Sequence, residues 1–222
     1  MSVDSTRRRY PRWPIQIPFR YGVPARAPAG AVGWTRSLSE GGATVEVGER
    51  FSPREMLSVL LHTHRGTIEV EGRVAWSKWR SAPEAGLLHG LAFTRTDAPQ
   101  HGVLRDLVPP LMLPRHDCVR FPLDLVIACR PDDPALPPLA GRAGNGSRNG
   151  LLLRLPRLLP PGTQAEVALG TGGEGLTVRG AIVWVEPPEM WKPGSDIGHG
   201  FRFDDMAWPA LASLGSLLIG RG

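Results

Sequence analysis

The chain has 222 residues, of which 41% are hydrophobic and 21% charged, and this composition is typical of a folded globular protein rather than of a disordered or membrane-embedded one. No apolar run approaches the roughly 20 residues of a membrane-spanning helix, and the arginine-rich start lacks the apolar core of a secretory signal, so we expect a cytoplasmic protein without a transmembrane segment. The net charge of +5 comes entirely from residues 1–26, a cluster too short for the broad basic face that binds DNA, so no DNA partner is expected.

The first half of the chain is predicted to consist of short strands, because apolar and polar side chains alternate with a period of two. Three strand patterns place on their inward faces Ile15, Ile17, Phe19 and Tyr21, then Ala43, Val45 and Val47, then Ile68, Val70, Val74 and Trp76. In this register Trp76 belongs to the core. A helix is predicted after Pro99, since apolar residues recur at the spacing of one helical face, namely at Val103, Leu104, Leu107 and Val108.

The second half has the same order of predicted elements. A strand from Leu176 to Val185 again carries an inward tryptophan, Trp184, and a helix is predicted after Pro209 from the apolar spacing of Leu211, Leu214, Leu217 and Leu218. The stretch 130–146 is rich in Pro, Gly and Ala and is predicted to be a long connection. Six or so short strands in each half, with frequent turns, favour a small closed barrel or a sandwich, since closure removes exposed strand edges.

The two halves are copies of one ancestral domain. Three motifs recur 108 residues apart: Arg12-Trp13-Pro14 as Arg120-Phe121-Pro122, Ser39-x-x-Gly42 as Ser147-x-x-Gly150, and Val70-x-Gly72-x-x-x-Trp76 as Val178-x-Gly180-x-x-x-Trp184. His89-Gly90 recurs as His199-Gly200 at an offset of 110, which predicts a two-residue insertion between the last two strands of the second copy. We therefore expect two tandem domains, at residues 1–112 and 113–222.

Two motifs of the first copy resemble the signature of the PilZ domain family. Arg8-x-x-x-Arg12 precedes the first strand, and Ser37-x-Ser39-x-x-Gly42 lies at a later turn. The family signature is Arg-x-x-x-Arg followed by Asp/Asn-x-Ser-x-x-Gly. This resemblance implies an all-β protein with terminal helices, namely two tandem six-stranded β-barrels, each followed by a C-terminal α-helix. It also implies a bacterial receptor for the second messenger cyclic di-GMP, which is a ligand and not a cofactor.

The resemblance implies a ligand site in the first copy. Its residues are Arg8, Arg9, Arg12, Ser37, Ser39, Gly41 and Gly42. Arginine suits this ligand because its planar fork donates to phosphate oxygens or to the O6/N7 edge of guanine. Ser37 stands where the family has Asp or Asn, so a carboxylate or carboxamide contact is reduced to a hydroxyl. The arginines, however, are complete.

The second copy shows the opposite pattern. Its implied ligand residues are Arg115, His116, Arg120, Asn145, Ser147 and Gly150. The turn motif fits fully, but His116 stands opposite Arg8, and Arg115 could substitute only with a one-residue slip. We therefore expect the first copy to bind more tightly. The second copy would be weak or vestigial, or would lend Asn145 and Ser147 to a shared site.

Other interpretations are weaker. The two copies could have drifted into a non-binding module that docks to a motility, secretion or polysaccharide machine, and a protein partner, still unidentified, is expected in either case. His62-x-His64 lacks a third ligand, so we expect no metal. His89 and His199 recur and are expected to be structural. We find no set of nucleophile, base and orienting group, so we do not expect an enzyme.

Overall fold

The computed structural model describes residues 10–24, 30–63, 66–78, 85–95, 104, 119–170 and 175–220. The chain divides into two compact units, Met1–Val119 and Arg120–Gly222. The expected domain boundary between residues 112 and 113 lies outside the described residues and stays a prediction. Among the described residues no helix is long and apolar enough to cross a membrane.

The first unit contains a closed six-stranded barrel. Its strands are β1 (Pro18–Gly22), β2 (Ala31–Ser39), β3 (Gly42–Val47), β4 (Met56–Thr63), β5 (Gly66–Lys78) and β6 (Leu87–Arg95). They pair antiparallel in the order β1-β2-β3-β6-β5-β4. The predicted inward faces are confirmed for Ile15, Ile17, Phe19, Tyr21, Ala43, Val45, Val47, Ile68, Val70 and Val74, all of which are buried.

The second unit repeats this barrel. Its strands are β7 (Phe121–Pro131), β8 (Leu139–Ser147), β9 (Gly150–Leu155), β10 (Gln164–Leu169), β11 (Leu176–Val185) and β12 (Ile197–Phe203). Their order around the barrel, β7-β8-β9-β12-β11-β10, matches that of the first barrel strand for strand. A short 3₁₀ turn, Pro188–Met190, lies in the loop between β11 and β12. The expected fold, two tandem six-stranded barrels, is confirmed.

Helix α1 (Trp208–Ile219) closes the second unit. Leu211, Leu214 and Leu218 are buried, as their spacing predicted. Of the helix predicted after Pro99, only Leu104 is described, and it is helical and fully buried.

The duplication extends to the irregularities of the sheets. In β2 one extra residue, Arg36, separates the pairs Thr35↔Val45 and Ser37↔Thr44, and in β8 Gly144 does the same 108 residues later. A second bulge falls at Ala75 in β5 and at Val183 in β11. Because a bulge changes which face the following side chains occupy, its position decides what each strand presents outside the barrel.

The bulges in β5 and β11 overturn one prediction. Trp76 and Trp184 were expected in the core, but their side chains are 40% and 47% exposed. Strict alternation from Val74 places Trp76 inside, yet the extra residue at position 75 shifts the phase by one. The tryptophans therefore stand on the outer surfaces of their barrels.

The predicted long connection over residues 130–146 is also wrong. Strand β7 continues to Pro131 and β8 already begins at Leu139, so most of the stretch is paired. Its small residues fit close packing: a Cβ on Gly141 would overlap the backbone carbonyl of Arg154 on β9. Just beyond β7, Asp132 accepts a hydrogen bond from Arg179 on β11 at 2.6 Å.

Candidate functional site

The turn motif of the first barrel lies at one end of a row of outward-facing residues. Register pairs join Ser37 on β2 to Thr44 on β3, Thr44 to Gly90 on β6, and Gly90 to Trp76 on β5. Directly paired residues of adjacent strands share a face of the sheet. We call these four residues the first outer row. It crosses four neighbouring strands on the outside of the barrel.

The segment before β1 lies against this row. Trp13 exchanges both backbone hydrogen bonds with Leu38, each at 2.9 Å, and so pins the segment to β2 beside Ser37. The guanidinium Nη1 of Arg12 then donates to the hydroxyl Oγ1 of Thr44 at 2.8 Å, with both groups partly buried. The second arginine of the Arg-x-x-x-Arg motif is thereby held over the middle of the first outer row.

Tyr10 gives the segment a second anchor, on the motif turn itself. A Cβ on Gly41 would lie only 2.7 Å from Cδ2 of the Tyr10 ring. Glycine at this position therefore lets the tyrosine ring rest on the turn backbone. Residues 10–13 and the turn motif, which are some 30 residues apart in sequence, therefore lie against each other.

The second barrel builds the same row with different side chains. Asn145, Leu152, Gly200 and Trp184 occupy the equivalent positions on β8, β9, β12 and β11. Arg120, the counterpart of Arg12, donates through Nη1 to Oδ1 of Asn145 at 2.8 Å, at an exposed site. Leu152 replaces Thr44 and offers no acceptor. The motif arginine is therefore held by the carboxamide of the motif itself.

The two serines that recur in the turn motifs form hydrogen bonds within their own turns. Ser39 is 3% exposed and its hydroxyl donates to the carbonyl oxygen of Gly42 at 3.0 Å. Ser147 is equally buried, and its hydroxyl donates to Gly150 O at 3.4 Å while accepting from Asn149 N at 3.3 Å. These bonds tie the ends of each hairpin together and fix the shape of the turn.

The last glycine of each turn motif leaves no room for a side chain. A Cβ on Gly42 would overlap the carbonyl oxygen of Leu91 on β6, and a Cβ on Gly150 would overlap that of Phe201 on β12. The close approach of two backbones therefore requires glycine at both sites, whatever the ligand.

The exposed tryptophans complete the rows, and the sequence interpretation missed them. The Trp76 indole lies directly on Gly90, where a Cβ would overlap the ring, whereas a Cβ on Gly200 would meet the nearest atom of Trp184, its own Cβ, at 3.3 Å. A signal for this packing was present, because both the tryptophan and the glycine recur in the second copy. Alternation alone, however, placed the tryptophans inside.

Two buried histidines brace the barrels from the inner side. His89 contacts Ser77 Oγ through Nδ1 at 2.9 Å and the Glu49 carbonyl oxygen through Nε2 at 3.2 Å. In His199, Nε2 accepts from the backbone N–H of Leu159 at 3.1 Å, which leaves Nδ1 to donate to the Ile197 carbonyl oxygen at 2.9 Å. Burial lowers the pKa of both imidazoles. Both histidines lie on the interior face, consistent with a structural role.

Four of the expected ligand residues, Arg8, Arg9, Arg115 and His116, lie outside the described residues, as does His64. Of the others, the structure brings Arg12, Ser37, Ser39, Gly41 and Gly42 together around one turn of the first barrel. It brings Arg120, Asn145, Ser147 and Gly150 together in the second. Within the described ranges no three His, Cys, Asp or Glu side chains are grouped as a metal site would require.

The PilZ domain family matches this sequence twice, over residues 6–108 and 114–220. Because these two matches span most of the chain, the protein belongs to the PilZ family and carries two copies of the domain. Two barrels of identical strand order agree with that assignment. No curated protein sequence matches the chain.

Several solved structures resemble the fold at low identity. PlzA of Borreliella burgdorferi, in complex with c-di-GMP, is 12% identical over 92% of this chain and 88% of its own, with a TM-score of 0.39. The Bacillus subtilis inhibitor of motility MotI/DgrA is 10% identical over 94% of this chain and 96% of its own, with a TM-score of 0.39. MrkH of K. pneumonia, also in complex with c-di-GMP, is 12% identical over 92% and 86%, with a TM-score of 0.40.

Proposed function

We propose that this protein is a cyclic di-GMP receptor whose tighter site lies on the outer face of the first barrel. The site comprises the first outer row together with residues 8–12, which we call the arginine segment and which contain Arg8, Arg9 and Arg12. A weaker site in the second barrel comprises Arg120 and Asn145 together with Arg115 and His116. The ligand is recognised and not transformed, so the protein acts as a receptor and not as an enzyme.

One observation carries this proposal. In both barrels the second motif arginine donates at 2.8 Å to a residue of the same outer row, Thr44 in the first barrel and Asn145 in the second. The guanidinium is therefore oriented before any ligand arrives. A preoriented donor loses less side-chain entropy when it binds a phosphate or a guanine edge.

Trp76 supplies the second kind of contact that such a ligand needs. Its indole is 40% exposed at the far end of the row from Ser37. An indole held in place over Gly90 offers a flat surface on which a guanine base can stack, a contact worth about 1–3 kcal/mol per base. Cyclic di-GMP carries both anionic phosphates and planar bases, so an arginine and an indole on one face suit it.

The serines and glycines of the turn motif have a supporting role in this proposal. Ser39 would have to release Gly42 O to contact a ligand, and Ser147 would have to release Gly150 O. We infer that these residues act by holding the turn, which keeps Ser37 or Asn145 on the outer face next to the arginine.

Binding would be converted into a signal through the arginine segment. A ligand that contacts Arg8, Arg9 and Arg12 at once fixes the segment against the outer face of the first barrel. Arg120 is the first residue of the second compact unit. Ligand bound there would change the arrangement of the two domains or of a protein partner.

Calorimetric titration of cyclic di-GMP tests the proposal. Wild type is compared with Arg12→Ala and Arg120→Ala, and Trp76→Leu is compared with the matched Trp184→Leu. We expect Arg12→Ala to weaken the tighter event by at least about tenfold, because a charge-assisted hydrogen bond is lost, and Trp76→Leu to weaken it by a similar factor. The second-barrel variants should leave that event nearly unchanged.

Two results would contradict this assignment. Absence of binding by wild type at tens of micromolar ligand removes the receptor function. A larger effect of Arg120→Ala than of Arg12→Ala places the tighter site in the second barrel.

A separate test concerns the expectation of no DNA partner. Retention of the protein on DNA that weakens steeply with salt would contradict that expectation.

An exposed apolar surface favours the docking module as a second candidate function. In the second barrel Met190 and Trp191 are 61% and 37% exposed in the loop between β11 and β12. Exposed aromatic and methionine side chains are enriched where proteins bind each other. If wild type binds no nucleotide, a Met190→Ser/Trp191→Ser variant should lose a protein partner that the wild type retains in co-purification from the native cell. Equal recovery of that partner would remove this candidate as well.

A further inference from the structure

Each barrel carries an additional arginine on the face that holds the motif. Register pairs join Ser39 to Gly42, Gly42 to Ala92 on β6, and Ala92 to Arg73 on β5. We call these residues the second outer row of the first barrel. It runs beside the first outer row at a distance of about 7 Å, because residues two apart on a strand share a face.

The second barrel has the same row with the cation on the neighbouring strand. Ser147 pairs with Gly150, Gly150 with Arg202 on β12, and Arg202 with Ala181 on β11. The first barrel therefore has alanine on β6 and arginine on β5, whereas the second has arginine on β12 and alanine on β11. Each barrel therefore has one arginine in its second outer row, but on non-equivalent strands.

Arg73 and Arg202 form no ion pair or side-chain hydrogen bond within the described part of the chain that would explain an arginine at these positions. Both side chains are exposed. By contrast, Arg179 on the same strand as Ala181 is held by Asp132. An exposed guanidinium without a partner keeps all its donors available for an anion.

The residues between these cations and the motif turn are small. The surface from Gly42 to Arg73 is formed by Gly42, Ala92 and Gly90, and the indole of Trp76 borders it. Neighbouring strands lie about 4.8 Å apart, so the Arg73 backbone is about 10 Å from the turn and the Arg202 backbone about 5 Å from its own turn. A ligand on the outer face could contact Arg12 at one side and Arg73 at the other.

We propose that Arg73 in the first barrel, and Arg202 in the second, bind a phosphate of the ligand. The inference rests on the proposed cyclic di-GMP site and names the group that receives its second phosphate. Cyclic di-GMP carries two phosphates, and a site with one arginine at each side of a shallow surface neutralises both. The side of the ligand that Arg73 contacts is the side away from Arg12.

Titration of cyclic di-GMP against the full chain tests this inference. Arg73→Ala should weaken the tighter binding event roughly tenfold to a hundredfold, and Arg73→Lys should recover part of the loss, since charge is kept but the fork is not. Arg130→Ala is the matched control. It removes one exposed positive charge from β7, which lies three strands from β12 around the barrel, and should have little effect. For Arg202 the weaker event is followed in an Arg12→Ala background, with and without Arg202→Ala.

The outcomes separate this inference from the proposed function. If wild type binds and Arg73→Ala resembles Arg130→Ala, the inference for Arg73 is wrong while the receptor function stands. If the Arg12→Ala background shows no residual binding, or residual binding that Arg202→Ala leaves unchanged, the inference for Arg202 is wrong. If wild type does not bind at all, the receptor function itself fails. Thermal unfolding of each variant checks that an exposed strand substitution leaves the fold intact.

Discussion

The two barrels share one backbone plan but hold the motif arginine by different means. Arg12 donates to Thr44, a partly buried hydroxyl one strand away from the turn motif, whereas Arg120 donates to Asn145 of the motif itself at an exposed site. The first copy has Ser37 in place of the carboxamide, and Thr44 on β3 is the acceptor for Arg12. The second copy has the carboxamide of Asn145, and Leu152 occupies the corresponding position on β9. The comparison teaches that both barrels hold the motif arginine against the outer row, although the residue that accepts its hydrogen bond lies on a different strand in each.

This exchange has a consequence for ligand contacts. In the first barrel the hydrogen bond from Arg12 is accepted by Thr44 and not by Ser37. In the second barrel Asn145 holds Arg120, so one of the two lone pairs of its Oδ1 is already used. A motif that matches its family consensus more fully can therefore have part of its hydrogen-bonding capacity occupied before a ligand binds, in line with our proposal that the first barrel holds the tighter site.

The largest change in stability that we expect concerns a feature that both barrels share, the close backbone approach at the last glycine of each turn motif. Gly42→Ala and Gly150→Ala should each destabilise their barrel by about 3 kcal/mol, because the new methyl group overlaps a backbone carbonyl on the adjacent strand. Chemical denaturation followed by fluorescence measures both changes. Gly72→Ala is the control, since its Cβ would meet its nearest neighbour at an ordinary 3.5 Å. Equal stabilities of Gly42→Ala and Gly72→Ala would show that the close backbone approach is absent.

A smaller effect should separate the two barrels. Thr44→Val keeps the shape of the side chain but removes the acceptor of Arg12, so the tighter binding event for cyclic di-GMP should weaken by about 1.5 kcal/mol, or roughly tenfold. Calorimetric titration gives the value. The companion Leu152→Val in the second barrel removes no acceptor and should leave both binding events in place. If Thr44→Val binds as wild type does, preorientation of Arg12 does not contribute to affinity.

The smallest effect again concerns a shared feature, the buried histidines. His89 and His199 have pKa values lowered by burial from the ordinary 6.5, so the unfolded chain takes up protons before the folded one as the pH falls. Stability is therefore retained above pH 6.5 and lost below it, by at most about 1.4 kcal/mol for each histidine at pH 5.5. Denaturation curves at pH 7.5 and 5.5 measure this change. An unfolding free energy that rises towards pH 5.5 would mean that the folded barrels prefer the charged imidazoles.

Much of the fold could be predicted from particular residues. The alternation from Ile15 to Tyr21 marks one buried face, and Leu211, Leu214 and Leu218 mark another on the last helix. Both predictions hold because one solvent-excluded face imposes its period directly on the sequence. The candidate site was predicted only in part, since Arg12, Ser37 and Gly42 belong to a recognisable motif while Thr44, Trp76 and Arg73 do not.

The errors have a common physical cause. Trp76 was predicted to lie inside because the alternation was counted without the bulge at Ala75. A bulge adds one residue without a recognisable sequence pattern, so the alternation gives no warning of it. The stretch before Asn145 was interpreted as a connection because it is rich in glycine, although Gly141 is required by close packing against β9. In both cases the deciding contact comes from a neighbouring strand.

The sequence by itself determined that two copies of one barrel domain follow each other, which faces of most strands and of the last helix are buried, and that an arginine pair precedes a polar turn. These features follow from local periodicity and from repetition at a fixed offset. Only the tertiary structure decided which residues share the outer rows, that Thr44 replaces Asn145 as the partner of the arginine, and that Arg73 and Arg202 lie on equivalent surfaces of their own barrels, on non-equivalent strands. Strand register brings together residues that are distant in the chain, and register depends on bulges and on backbone contacts that no single segment encodes.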